Sequence, residues 1–272
     1  MAHHDRRAGP PSGRTGRRSA LENRHRIRTR PVDHLESPHS PHRGTPDTAR
    51  NAPRPGWIEL VVGLAVMALV AFVLAPQLNR LDMSGPTAAV LSGVVSGGGG
   101  LIAFAAAAML RVRSWRAFGV RATTARWLLI GAAAGLVAFV ARILTVFLVG
   151  LFVDMGSDTQ ASYAAGAGAG ALSLALTMLT LAVLTPLGEE FLFRGVVATV
   201  LLRYGALVGV VGSAVVFALM HGINEVLPAA LIVGLIGAEL YRRSGSIWPG
   251  VLMHAVYNAI SLGLLALAAL AA

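Results

Sequence analysis

Glu189 and Glu190 stand side by side in "TPLGEEFLFRG", a run that is otherwise apolar apart from Arg194. An ionised carboxylate in the middle of a bilayer costs roughly 2.5–3.5 kcal/mol even on lenient insertion scales. Two further motif pairs bring polar side chains into apolar sequence downstream: Phe217 and His221 in "FALMH", and His254 and Asn258 in "HAVYN". Each pair is spaced i, i+4, as are Glu190 and Arg194. On a helix that spacing puts both members on one face. Polar side chains within a membrane turn toward the bundle interior or a wet cavity. The economical reading is therefore one shared site built from Glu189, Glu190, Arg194, His221, His254 and Asn258.

Several chemistries suit that set. A carboxylate and a histidine can hold and deprotonate a water. Glu189, His221 and His254 could instead bind zinc or another divalent metal with one position left open. His254 and Asn258 could donate to a developing oxyanion. Arg194 can hold Glu190 ionised and oriented. All of these point to hydrolysis by activated water. Other intramembrane chemistries fit less well. No H-E-x-x-H motif is present. A serine mechanism through Ser96 or Ser213 leaves Glu189 and Glu190 without a role. No span interior offers an aspartate for an aspartyl pair. A small proton-coupled transporter, or a non-catalytic membrane immunity or adaptor protein, is the alternative class, because buried charges also mark transport paths and binding sites.

The elements that would position these residues follow from composition. The 272-residue chain is 55% hydrophobic, with a mean hydropathy of +0.65. Only 13% of its residues are charged, about half the usual share for a soluble domain, so the fold class is an all-α polytopic membrane bundle. No cysteine is present, which excludes disulfides and thiolate metal sites. The net charge of +10 is concentrated at the start. Residues 1–56 hold 12 arginines, 8 of the 13 prolines and 6 of the 8 histidines. That segment is too polar to offset its ordering entropy and reads as a disordered cytoplasmic tail able to touch anionic headgroups, not as a nucleic-acid-binding domain. No apolar stretch follows its first charges, so it does not read as a signal peptide.

Residues 57–272 read as the membrane domain. Seven apolar spans are expected near 57–76, 88–110, 127–153, 168–202, 206–222, 226–241 and 248–270. Glycines in "SGGGG" (96–100) suggest close helix packing, and Pro186 predicts a kink just before the glutamates. Arg111, Arg113, Arg116, Arg121 and Arg126 fill one loop; Arg203, Arg242 and Arg243 fall in loops of the same parity as the tail. The alternate loops carry Asp82, Asp154, Asp158 and Glu225. The positive-inside rule then predicts a cytoplasmic N-terminus. One mismatch arises. Counted at 1.5 Å per residue, Glu189 and His221 lie about 20 Å deep and His254 nearer 9 Å, so residues 242–250 are expected to dip into the bundle. Arg142, inside the third span, needs a partner and receives no role.

"EEFLFR", "FALMH" and "HAVYN", the last led in by "SIWPGVLM", together resemble the CPBP family of intramembrane proteases: type II CAAX prenyl proteases and bacteriocin-processing or immunity proteins, also called the abortive-infection family. The resemblance covers about 170–265 and leaves the first three spans outside it. It implies an intramembrane endopeptidase with Glu189 as the main catalytic carboxylate and His221 helping to activate water. His254 and Asn258 would stabilise the oxyanion or help hold the site, with Glu190 and Arg194 as supporting groups. Family members are described both as metalloproteases and as metal-independent glutamate-type enzymes, and the sequence leaves that choice open. The implied partners are a peptide or protein substrate and the lipid bilayer, in the plasma membrane of a bacterium.

Overall fold

The structure, a computed structural model, describes residues 54–78, 80–152 and 161–271. The tail at 1–53, and the loop aspartates Asp154 and Asp158, lie outside the described residues. Among those described there are helices and connections and no strand. We number the helices α1 (Trp57–Leu78), α2 (Gly85–Leu110), α3 (Ala125–Gly150), α4 (Ala161–Gly168), α5 (Ala171–Tyr204), α6 (Val208–Met220), α7 (Leu227–Ser244) and α8 (Trp248–Ala271).

Five of the seven expected spans, α1, α2, α3, α5 and α8, are long and apolar enough to cross a membrane. Of the other two, α6 is shorter than its expected span 206–222, whereas α7 is 18 residues long but carries three charged residues. Helix α6 combines a five-residue wide turn with eight α-helical residues, and at 1.5 Å per residue it reaches about 20 Å, against a hydrocarbon core of about 30 Å. Helix α7 ends in Glu239, Arg242 and Arg243. The connection between them is a built turn. Gly222 adopts φ +84°, which ends α6 at Met220. Asn224 then donates to His221 O (2.9 Å) and accepts from Val226 N (2.8 Å), and Pro228 opens α7. His221 is therefore the residue that closes α6, not one in a helix interior.

The charged ends meet at one end of the bundle. Arg111 reaches both carboxylate oxygens of the fully buried Glu59 at 2.8 Å, and Glu59 also accepts from Gly56 N at the start of α1. Arg203, at the end of α5, donates to Pro55 O (3.0 Å). The expected dip between α7 and α8 takes the form of a covered turn. Arg121 donates to Gly245 O (2.6 Å), Ser246 Oγ to Arg121 O (2.7 Å), and Ile247 N to Gly119 O (3.1 Å). Ser246, Ile247, Pro249 and Gly250 are all buried. The 111–121 connection lies over the beginning of α8 and sets it inside the bundle.

Helix α5 runs through the core; every residue from Thr185 to Ala198 except Leu187 is buried. It is not a regular α-helix. Residues 178–184 and 191–198 follow the wider i→i+5 path, flanking an α-helical segment at 185–190 that bears both glutamates. Such widened turns concentrate at functional positions. The kink expected at Pro186 is expressed as the first of them, where Thr185 N–H bonds to Thr180 O. The glycine run of α2 brings two backbones into contact at this point. A Cβ on Gly188 would sit 2.0 Å from Gly97 O, and one on Gly97 would sit 2.4 Å from Leu184 O. We expect Gly188→Val to lower stability by about 1–3 kcal/mol through overpacking. Thermal unfolding of the purified protein in detergent would measure this; an unchanged midpoint would contradict the close approach.

Candidate active site

The six polar residues expected to share a site do come together, in two tiers. A cavity of about 440 Å³ is bordered by Glu189, His221, His254 and Asn258, with Ser96 and Arg142 also on its wall. Glu190 and Arg194 do not border it. Both are fully buried directly behind it.

Glu189 projects from the α-helical segment of α5. Its Oε1 accepts from Ser96 Oγ of α2 at 2.8 Å, a contact that the Gly97–Gly188 backbone approach brings within range. Two imidazoles straddle the same carboxylate. His221 Nε2 lies 3.9 Å from Oε1, and His254 Nε2 lies 3.9 Å from Oε2. Oε2 is buried and has no hydrogen-bond partner among the described residues. A buried carboxylate oxygen without a donor is costly and calls for a functional explanation.

The far nitrogen of each ring is fixed. His221 Nδ1 is 2.9 Å from Phe217 O, one turn earlier. A carbonyl can only accept, so Nδ1 carries the proton and in the neutral ring Nε2 presents its lone pair. His254 Nδ1 is 3.3 Å from Glu190 Oε1, an acceptor that makes the same assignment. Both rings also lean on Phe217, with centroids 4.7 Å from His221 and 5.9 Å from His254. The i, i+4 partner of His221 thus supplies both a packing face and the tautomer-setting carbonyl.

Glu190 is held from the other side by Arg194. Arg194 Nε lies 2.9 Å from Glu190 Oε2, close enough for an ion pair but not aligned as a hydrogen bond, since both atoms lack one. Arg194 Nη2 donates to Val233 O (3.0 Å), and its guanidinium carbon lies 4.9 Å from the Phe217 ring centroid. The pair thereby links α5 to α7 and, through Glu190, to His254 of α8.

Asn258 borders the cavity, one turn beyond His254, and its amide nitrogen donates to Leu181 O of α5 at 2.7 Å. Ser96 is the residue that sequence reasoning undervalues. It stands out there only as a nucleophile candidate, whereas it orients Glu189. Its place at the head of the glycine run, where two helices touch, is the available signal. Glu59 and Arg111 escape such reasoning because the partners lie on separate helices, 52 positions apart.

The geometry also bears on the metal expectation. Donors around a tetrahedral zinc, with bonds of about 2.0–2.2 Å, stand about 3.3–3.6 Å apart. The two nitrogen–oxygen separations here are 3.9 Å, and among the described residues no group of three or more His, Cys, Asp or Glu side chains is arranged to hold a metal ion. Glu189, His221 and His254 do not fit a zinc centre as they stand, so no step below is routed through one.

Membrane-length helices enclosing a polar cavity, with a carboxylate set between two imidazoles, define a polytopic membrane protein with an interior site suited to hydrolysis. Residues 171–260, from the start of α5 to the middle of α8, match the Rce1-like family, described as type II CAAX prenyl endopeptidase Rce1-like. That match, confined to residues 171–260, supports a CPBP/CAAX protease family assignment and, in general terms, an intramembrane CAAX-type protease. The match takes in every one of the six expected site residues and leaves α1 to α4 outside it. No curated protein and no solved structure matches the chain.

Proposed function

We propose that this protein is an intramembrane endopeptidase in which Glu189 and His221 activate a water that attacks the scissile carbonyl. The observation that carries this reading is the placement of two fixed imidazoles at 3.9 Å from the two oxygens of one buried carboxylate. That separation is too long for a direct hydrogen bond. It suits a water between Glu189 Oε1 and His221 Nε2, giving one hydrogen to each acceptor. As the water oxygen bonds to the carbonyl carbon, its proton passes to Glu189. His254, held at Nδ1 by Glu190, is the group placed to face the carbonyl oxygen as it becomes an oxyanion. Collapse of the tetrahedral intermediate breaks the C–N bond, and the proton held by Glu189 goes to the leaving nitrogen. Glu190 and Arg194 keep His254 in place throughout.

The substrate is a peptide segment that enters the cavity from the bilayer or its surface. The clustering of arginine-bearing connections at one bundle end supports a cytoplasmic position for that end, and hence for the start of α1, in a cell membrane. A cleavage assay with purified protein tests both the activity and the absence of a metal step. We expect cleavage of a membrane-associated peptide to persist after exhaustive treatment with a chelator. Loss of activity on chelation, restored by zinc alone, would overturn the metal-free route.

A further inference from the structure

We infer that Asn258 is a positioning residue: its side-chain amide replaces the backbone donor that Pro186 removes from α5, and so fixes α8 against the helix that carries Glu189. This rests on the hydrolytic reading above only for its effect on turnover; the anchor itself stands on backbone geometry.

The hydrogen bonds of α5 show why. Every buried backbone carbonyl needs a donor, above all in a membrane, where water is scarce. In a regular α-helix Leu181 O would accept from Thr185 N–H. Here that N–H is taken by Thr180 O across the widened turn. In the wider i→i+5 register Leu181 O would accept from residue 186, which is proline and has no N–H. Leu181 O therefore has no backbone donor in either register. Asn258 Nδ2 approaches it at 2.7 Å, a short amide–carbonyl contact. Leu181 is buried, as are its neighbours Thr180 and Ala182.

The location gives this bond a consequence. Leu181 precedes Glu189 by about two helical turns. Asn258 follows His254 by one turn on the same face of α8. The two helices are thus joined twice, at Leu181–Asn258 and at Glu190–His254. Removing the first join leaves α8 free to shift along α5, and His254 moves with it relative to Glu189 Oε2. A displacement of about 1 Å in a catalytic constellation can cost about 100-fold in rate. An oxyanion donor would act differently. It would touch the substrate carbonyl itself, and its loss would not depend on the residue at position 186.

That difference supplies the experiment. Asn258→Ala, Pro186→Ala and the double variant are purified beside wild type, and melting temperature and peptide-cleavage kinetics are measured for all four. Replacing Pro186 by alanine restores a backbone N–H at that position, which frees a donor for Leu181 O in either helical register. We expect Asn258→Ala to lower both melting temperature and kcat, the latter by about 10- to 100-fold with little change in KM. The same substitution in the Pro186→Ala background should change both much less, so that the double variant recovers most of the lost turnover. Equal losses in the two backgrounds would overturn the inference and assign Asn258 to direct contact with substrate. Should Asn258→Ala alone fail to fold, recovery of a folded double variant supports the anchor and its continued failure refutes it; Pro186→Ser provides a second background with a restored N–H. The melting data also separate the two claims. Coupling between 186 and 258 without wild-type cleavage sinks the hydrolytic reading and keeps the anchor. Robust cleavage with additive losses does the reverse.

Discussion

Glu189→Gln should reduce peptide cleavage by about 10²- to 10⁴-fold, the usual contribution of a positioned general base, while leaving the protein folded. Glutamine keeps the shape of the side chain, and its amide oxygen can still accept from Ser96 Oγ, which now donates to Oε1 at 2.8 Å. What it loses is the capacity to take a proton from water. The amide NH₂ would also occupy the side now held by Oε2, facing His254 Nε2 across 3.9 Å. The melting temperature should therefore hold or rise, since a buried ionisable carboxylate, one oxygen of which lacks a donor, becomes a neutral amide. Kinetics on purified enzyme, normalised to folded protein by size-exclusion chromatography, would show this. A variant that keeps wild-type turnover would remove Glu189 from the chemistry.

Arg194→Met carries the largest expected effect on stability. Arg194 and Glu190 are both fully buried, and the guanidinium is the counter-charge closest to Glu190. Removing one partner of a buried pair leaves an uncompensated charge and costs about 3–5 kcal/mol. Val233 O would lose its side-chain donor as well. Replacing both members, as Glu190→Gln with Arg194→Met, should be considerably milder, because no isolated charge remains. If the two single losses simply add in the double variant, the pair is not the unit described here. Thermal unfolding in detergent measures all three. Activity in the double variant reports separately on how much His254 depends on Glu190 for its orientation.

The polar residues are legible in the sequence because membrane helices tolerate so few of them. Glu189, Glu190, Arg194, His221, His254 and Asn258 stand out against apolar neighbours, and their i, i+4 spacing names the faces that have to meet. The long helices α1, α2, α3, α5 and α8 are legible for a related reason, through sustained apolar length with few polar interruptions. Local backbone departures are not. Nothing in the composition of 178–184 announces a widened turn, although Pro186 hints at a disturbance. The shortness of α6 depends on Gly222 taking positive φ and on Asn224 bonding back to His221 O, choices that a hydropathy window averages away. The depth mismatch of His254 can be read from residue counting, but its resolution requires the 111–121 connection, whose bonds to 245–247 join distant parts of the chain. Asn258 reads from sequence as an oxyanion donor because side-chain patterns reveal other side chains, whereas its partner is a carbonyl. Ser96 is hidden because a lone serine in an apolar helix carries little signal until its neighbour across the helix crossing is known.

In the proposed mechanism water attacks the substrate directly, with Glu189 as its base. A single-turnover cleavage reaction in ¹⁸O-labelled water, followed by mass spectrometry of both enzyme and products, addresses that step. We predict one ¹⁸O atom in the new carboxylate of the N-terminal product after the first turnover, and none in the enzyme peptide containing Glu189. Label in Glu189 itself, which would mark a covalent acyl intermediate, or equally fast cleavage by Glu189→Gln, would contradict it.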